Sequence, residues 1–205
     1  IPTIEKSQLA IPFKYGNVAN VIEIMPDQIT TKKKVAHVDV QNGVFIPCIE
    51  KDYLKLAVVE RHHHLGNIGV AIVHGCGLKE GAVATTIAHD SHNAIVVGTN
   101  DDDMIKALEA LQEMQGGLVI VRNGEVIASL SLPIAGLMTN ESANMVVPKL
   151  KEIHEAIHKI HPTLSYHFFL TLSFLSLPVI PELKLTDTGL FDVVQFKHIE
   201  TEVSV

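Results

Sequence analysis

The sequence predicts an α+β domain, with mixed sheets of short strands and two main helices packed on them. Three observations predict it. Short apolar runs rich in Val, Ile and Thr recur between turn residues, as strands prefer. Asn-Gly pairs at Asn42-Gly43 and Asn123-Gly124 sit between such runs, the strongest short hairpin signal. Only two stretches carry a helical period, and no regular β-α-β-α alternation joins them.

In chain order, residues 1–20 read as a connecting arm and 21–205 as the domain. Val21–Met25 ends at the turn signal Pro26-Asp27. Val35, His37 and Asp39 alternate with Ala36, Val38 and Val40, and Val44–Pro47 returns across Asn42-Gly43. Leu54–Val59, Ile68–Val73, Ala82–Ala88 and Ala94–Val97 read as buried strands. Thr99-Asn100 caps a helix whose acidic first turn, Asp101-Asp102-Asp103, suits the positive end of the helix dipole. Met104, Leu108, Leu111 and Met114 give its stripe, and Gly116-Gly117 ends it. Leu118–Val121 and Val126–Leu130 form the second hairpin. A second helix runs from about Asn140 to Ile160 on the stripe Val146, Leu150, Ile153, Ile157, Ile160. Pro148 either falls in the first turn of that helix or kinks it. Beyond Pro162 the chain reads as apolar and irregular, ending in a charged tail.

Composition excludes several functions. At 205 residues the chain can bury a real core, and its longest apolar stretch, Phe168–Ile180, is broken by Thr171, Ser173, Ser176 and Pro178. That marks a buried segment, not a membrane anchor. A formal charge of −7 argues against a nucleic-acid partner, which needs concentrated Lys and Arg. Lys32-Lys33-Lys34 reads as a solvated turn or a strand edge. Cys48 and Cys76 make no disulfide framework, so a reducing cytoplasm is the expected compartment. The chain opens on Ile1, which leaves room for chemistry upstream.

The densest polar constellation is His89-Asp90-Ser91-His92-Asn93, set between two apolar strands. A local nucleophilic relay is rejected, because side chains this close in sequence diverge from the order a triad needs. A metal site could use His89 and His92 with a third ligand from His62, His63 or His64, yet no Glu or Cys completes a familiar spacing. Asp, Ser and Asn also stabilise turns through backbone amides. Five polar residues exceed what a turn needs, so a ligand-facing or domain-facing loop competes with that reading. In Glu60-Arg61-His62-His63-His64, the His62-x-His64 pair resembles the start of a barrel-type metal hydrolase. Too little chain follows for a barrel of about 250 residues. The favoured reading there is a polar strand end with Arg61 paired to a carboxylate. His154, His158 and His161 follow helical spacing on a face that reads as solvated. Gly75-Cys76-Gly77 and Gly116-Gly117 lack the strand–loop–helix setting of a phosphate cradle. Nothing near Cys76 lowers its pKa.

Several stretches together resemble the adenine deaminase C-terminal domain. They are Ala57–His62 leading to Gly66–Gly69, Gly75–Ala82, Ala88–Asn93, Val97–Asp101, Leu132–Met138, Thr171–Phe174 and Leu177–Asp187. The likeness runs from about Asn20 to Phe196; Cys76 in place of an aromatic and the helix-interrupting Pro148 depart from the family's pattern. The family lies in the amidohydrolase superfamily. The resemblance implies a parent hydrolase of purine salvage that converts adenine to hypoxanthine and ammonia. It uses manganese or iron held in an N-terminal barrel absent from this chain. It implies no catalytic residue and no cofactor in this fragment, which is expected to be inactive alone. Its expected partners are that barrel and further copies of itself. His89, Asp90, Ser91, His92 and Asn93, with Arg61 and His62, would face the substrate pocket or the domain interface. The alternatives are a stand-alone structural module and a metal-binding module using His89, His92 and His62.

Overall fold

The computed structural model describes residues 1–204 and realises the α+β class. After a 3-10 turn at Lys6–Leu9 come β1 (Val18–Ile24), β2 (Thr31–His37) and the small hairpin β3 (Val40–Gln41) and β4 (Val44–Phe45). Then follow β5 (Tyr53–Val59), β6 (Ile68–His74), β7 (Ala82–Thr85), β8 (Ala94–Gly98) and helix α1 (Asp101–Glu113). β9 (Gly117–Arg122) and β10 (Glu125–Ser131) precede α2 (Ala143–Ile160) and α3 (Phe168–Phe174). The chain closes with β11 (Leu183–Thr186), β12 (Gly189–Asp192) and β13 (Lys197–His198). Eight strands make the main sheet in the order β10-β9-β7-β8-β5-β6-β1-β2. Every pair in it is antiparallel except β1 with β6.

Both faces of this sheet are buried, and alternation along each strand sorts the side chains between them. Ala57, Ala82, Ala84, Ala94, Val59, Val96, Val119 and Val121 point toward α1. These small residues let the helix lie close: a Cβ added at Gly98 would stand 2.5 Å from Met104. Leu54, Leu56, Val58, Val83, Ile95, Val97 and Ile120 point the other way, under α2, α3 and the small sheet β11-β12-β13. Gly69 on β6 admits that small sheet, since a Cβ there would overlap the Thr186 carbonyl.

Both predicted hairpins form, with Asn42 and Gly43 at φ 52° and 74° and Asn123 and Gly124 at 53° and 79°. Those positive values are what a two-residue type I′ turn requires. Helix α1 starts where expected, Asn100 Oδ1 accepting from the Asp103 N–H at 2.8 Å. Asp103 is itself buried and accepts from Gly124 N–H at 2.6 Å, fastening the helix start to the β9–β10 turn.

Other expectations shift. β2 begins at Thr31, so it contains Lys32–Lys34 and stops before Val38. It is an edge strand, and its lysines are held by Glu182, Asp192 and Glu23. The stretch after Pro162, read as irregular, holds a third helix and three strands, short enough to leave no clear period. Within residues 1–20, Leu9, Ile11 and Phe13 are buried and β1 has already begun, so the arm is part of the packed domain. Pro148 lies inside α2, which starts at Ala143. Lacking an N–H, it cannot donate to the carbonyl of Asn144, and both residues are exposed, where water can serve.

Asn100→Ala removes the α1 cap and is expected to cost about 1 kcal/mol of unfolding free energy. A urea denaturation midpoint unchanged from the parent sequence would refute that role for the side chain.

Candidate functional site

β5 and β8 pair with Val59 opposite Ala94, and β7 pairs with β9 through Thr85 and Leu118. The end of β5, the β7–β8 connection, the start of β9 and the end of β10 therefore share one edge of the sheet. That register brings the two polar clusters read in the sequence together, across 31 residues of chain between Arg61 and His92.

Arg61 ties this edge. Its Nε donates to the His92 carbonyl at 2.6 Å and its Nη2 to the Ala135 carbonyl at 2.7 Å. The guanidinium lies against Gly136, where a Cβ would stand 2.7 Å from Nη2. Thr86 Oγ1 donates to the Gly136 carbonyl at 2.6 Å and accepts from Gly117 N–H at 2.8 Å, locking the Leu132–Met138 turn from below. The expected carboxylate partner of Arg61 is not there; carbonyls of two loops replace it.

The loop residues divide by role. The His62 ring places Nε2 2.7 Å from the Ser91 carbonyl, so that nitrogen donates. His92 sits at φ 52° and its Nδ1 accepts from Ala88 N–H at 3.3 Å. The His89 ring packs on Phe174 at 4.7 Å between centroids, and its backbone bonds Ser173 and Ser176 of the α3 region. Asn93 is buried, with Oδ1 unpaired. Asp90 and Ser91 are exposed. Burial, then the neighbouring His89 and Arg61, lowers the His92 pKa, so its ring is neutral at pH 7. Beneath His62, the buried Glu60 carboxylate accepts from the N–H groups of His62, His63 and Leu65 at 2.5, 2.6 and 3.0 Å. Burial alone would raise its pKa; these three donors outweigh burial and hold it at about 2.

His62 and His92 each spend a ring nitrogen on the backbone. With Nδ1 accepting from Ala88 N–H, the lone pair of the His92 ring is turned to the backbone. Among the described residues no group of three or more His, Cys, Asp and Glu is arranged to hold an ion. Cys76 is buried, its thiol pushed up by desolvation. What the edge does offer is recognition. Exposed polar groups of His62, Asp90 and Ser91 stand beside Leu65, Ile134 and Met138, which are 64%, 45% and 58% exposed. Large apolar residues in that company mark a contact surface. Sequence reasoning missed Thr86, Ser173 and Ser176. Their signals are single hydroxyls, legible only once the register is known.

The outward histidine triplet on α2 is also corrected. His154 and His158 are exposed neighbours with centroids 4.9 Å apart, but His161 is buried. It is the C-cap, at φ −137° and ψ 75°, and its ring turns inward toward Tyr166 and Phe168.

Arg61→Ala deletes two charge-assisted hydrogen bonds and is expected to cost about 2–3 kcal/mol. Faster amide exchange should be confined to residues near 88–93 and 132–138, and uniform exchange across the sheet would contradict this. For Glu60 the depressed pKa means that its stabilisation is complete above the ordinary carboxylate range near pH 4.5 and is lost as pH falls toward 2. Glu60→Gln should flatten the melting temperature between those values, and an unchanged slope would assign it to other carboxylates.

A family model described as the adenine deaminase C-terminal domain matches residues 28–197. An adenine deaminase of Lysinibacillus sphaericus is 58% identical over 98% of this chain, which spans 35% of that protein. Adenine deaminases of Geobacillus kaustophilus and Halalkalibacterium halodurans are 51% and 48% identical over 97% and 98% of the chain, which covers 34% of each. The chain thus spans about a third of the length of these relatives. With the match running through β2, the polar edge and the small sheet alike, the chain belongs to the adenine deaminase C-terminal domain family.

Proposed function

We propose that this domain completes an adenine deaminase by docking its polar edge on the catalytic barrel that precedes it. The enzyme hydrolyses adenine to hypoxanthine and ammonia in the cytoplasm, as a step of purine salvage. Support comes first from the 58% identity to a protein named adenine deaminase, of which this chain covers 35%. A divalent metal, manganese or iron, held by the barrel would supply the activation of water for that hydrolysis. This chain's own residues do not fit that metal, and no step of the reaction is routed through them. Their part is positional. Arg61, His62 and the His89–Asn93 loop form a fixed rim that shapes the barrel mouth or seals the domain interface. The enzyme assembles as a homo-oligomer.

The test uses the enzyme carrying its barrel, with His89→Ala and His92→Ala assayed for adenine turnover. The expected loss is about tenfold or more in kcat/KM, as small misplacements near a reacting centre give, with circular dichroism unchanged. Unchanged kinetics in both variants would remove the rim from function. Adenine turnover by the purified 205-residue chain alone would overturn the assignment of a supporting role.

A further inference from the structure

Helix α2 is only half used by this domain. Ile153, Ala156, Ile157 and Ile160 are buried on β9 and β10, whereas Ala143–Glu152 is exposed at every position except the half-buried Val146. In that half Met145, Val147 and Leu150 are 53%, 48% and 44% exposed. A groove of about 660 Å³ runs between α2 and the 164–170 segment, with Leu150, Ile157, Leu164, Phe169 and Leu170 among its walls. A smaller one of about 120 Å³ lies on the other side, between Met145, Val146 and the Leu130–Pro133 stretch.

We propose that this overhanging half of α2, with its two grooves, is a second docking surface for the N-terminal region of the enzyme. The proposal rests on the reading of the chain as part of an adenine deaminase and names where the partner sits. Two observations select that occupant. In the relatives, about two thirds of the polypeptide lies outside the matched region, ample to cover both surfaces. The surfaces are also continuous. Arg61 holds the Ala135 carbonyl at the polar rim, and the same connection runs on through exposed Ile134 and Met138 to Met145. A partner seated on the rim and following that connection therefore meets α2 next. The occupant's chemistry follows from the walls: an apolar segment filling the grooves, with acidic and basic groups near Lys149, Lys151 and Glu152 at its margin.

Amide exchange of residues 143–152 and 89–93 in the 205-residue chain and in the enzyme with its N-terminal region, each sized by light scattering, tests this. Exchange at 143–152 is expected to slow roughly tenfold or more only when that region is present. Leu150→Asp should abolish this protection and lower the enzyme's melting temperature, while leaving that of the 205-residue chain unchanged. Equal exchange in both proteins would overturn the proposal. So would protection already present in the isolated chain together with a doubled mass, which assigns the surface to a second copy. Protection at 89–93 without protection at 143–152 would sink this surface and leave rim docking standing; protection at neither would sink both.

Discussion

A sheet covered on both faces can present chemistry only at its edges, and that constraint shapes this domain. Alternating side chains along β5, β7, β8 and β9 are spent on two cores, Ala and Val toward α1 and larger Leu, Ile and Val toward α2 and α3. No strand residue in the centre is left to face solvent. Polar groups with freedom to act accumulate where strands end, and the antiparallel pairing of β5 with β8 sets which ends coincide. The polar rim is a consequence of that register.

What holds the rim is backbone carbonyl chemistry. Arg61 bonds two carbonyls, His62 a third, Ser176 a fourth and Thr86 a fifth. Loops leave such groups unpaired by their nature, and a buried unpaired carbonyl is costly. Long side chains from neighbouring elements satisfy them and thereby fix the loops against each other. The exposed groups, among them Asp90 and Ser91, are then carried on a stiff frame. A surface prepared in this way loses little entropy on meeting a partner.

Much of the fold was legible because it is local. The Asn-Gly turns, the Asn100 cap and the stripe Met104–Leu108–Leu111 each depend on neighbours within a few residues. The polar clusters were legible as clusters. Their union was not, since it depends on strand order. The partner of Arg61 was misread because its acceptors are main-chain atoms, which any residue supplies. His161 was misread because helical spacing applies only while the helix lasts, and it stands one residue beyond. β2 was placed late because lysines lower the strand signal, although distant Glu182 and Asp192 neutralise them here.

The stripe on α2 shows a different limit. Val146, Leu150, Ile153, Ile157 and Ile160 are equally apolar and equally spaced, yet only the last three are deeply buried in this domain. Periodicity records which face of a helix avoids water and is silent about what covers that face. A fully exposed Leu or Val forgoes about 1.5–3 kcal/mol of burial and a half-exposed one a part of that, so an uncovered stripe leaves a driving force unspent. The same holds for Leu65, Ile134 and Met138 at the rim. Both uncovered regions flank the β10–α2 connection, one of the two that Arg61 anchors, and two unrelated surfaces would have no reason to be so joined.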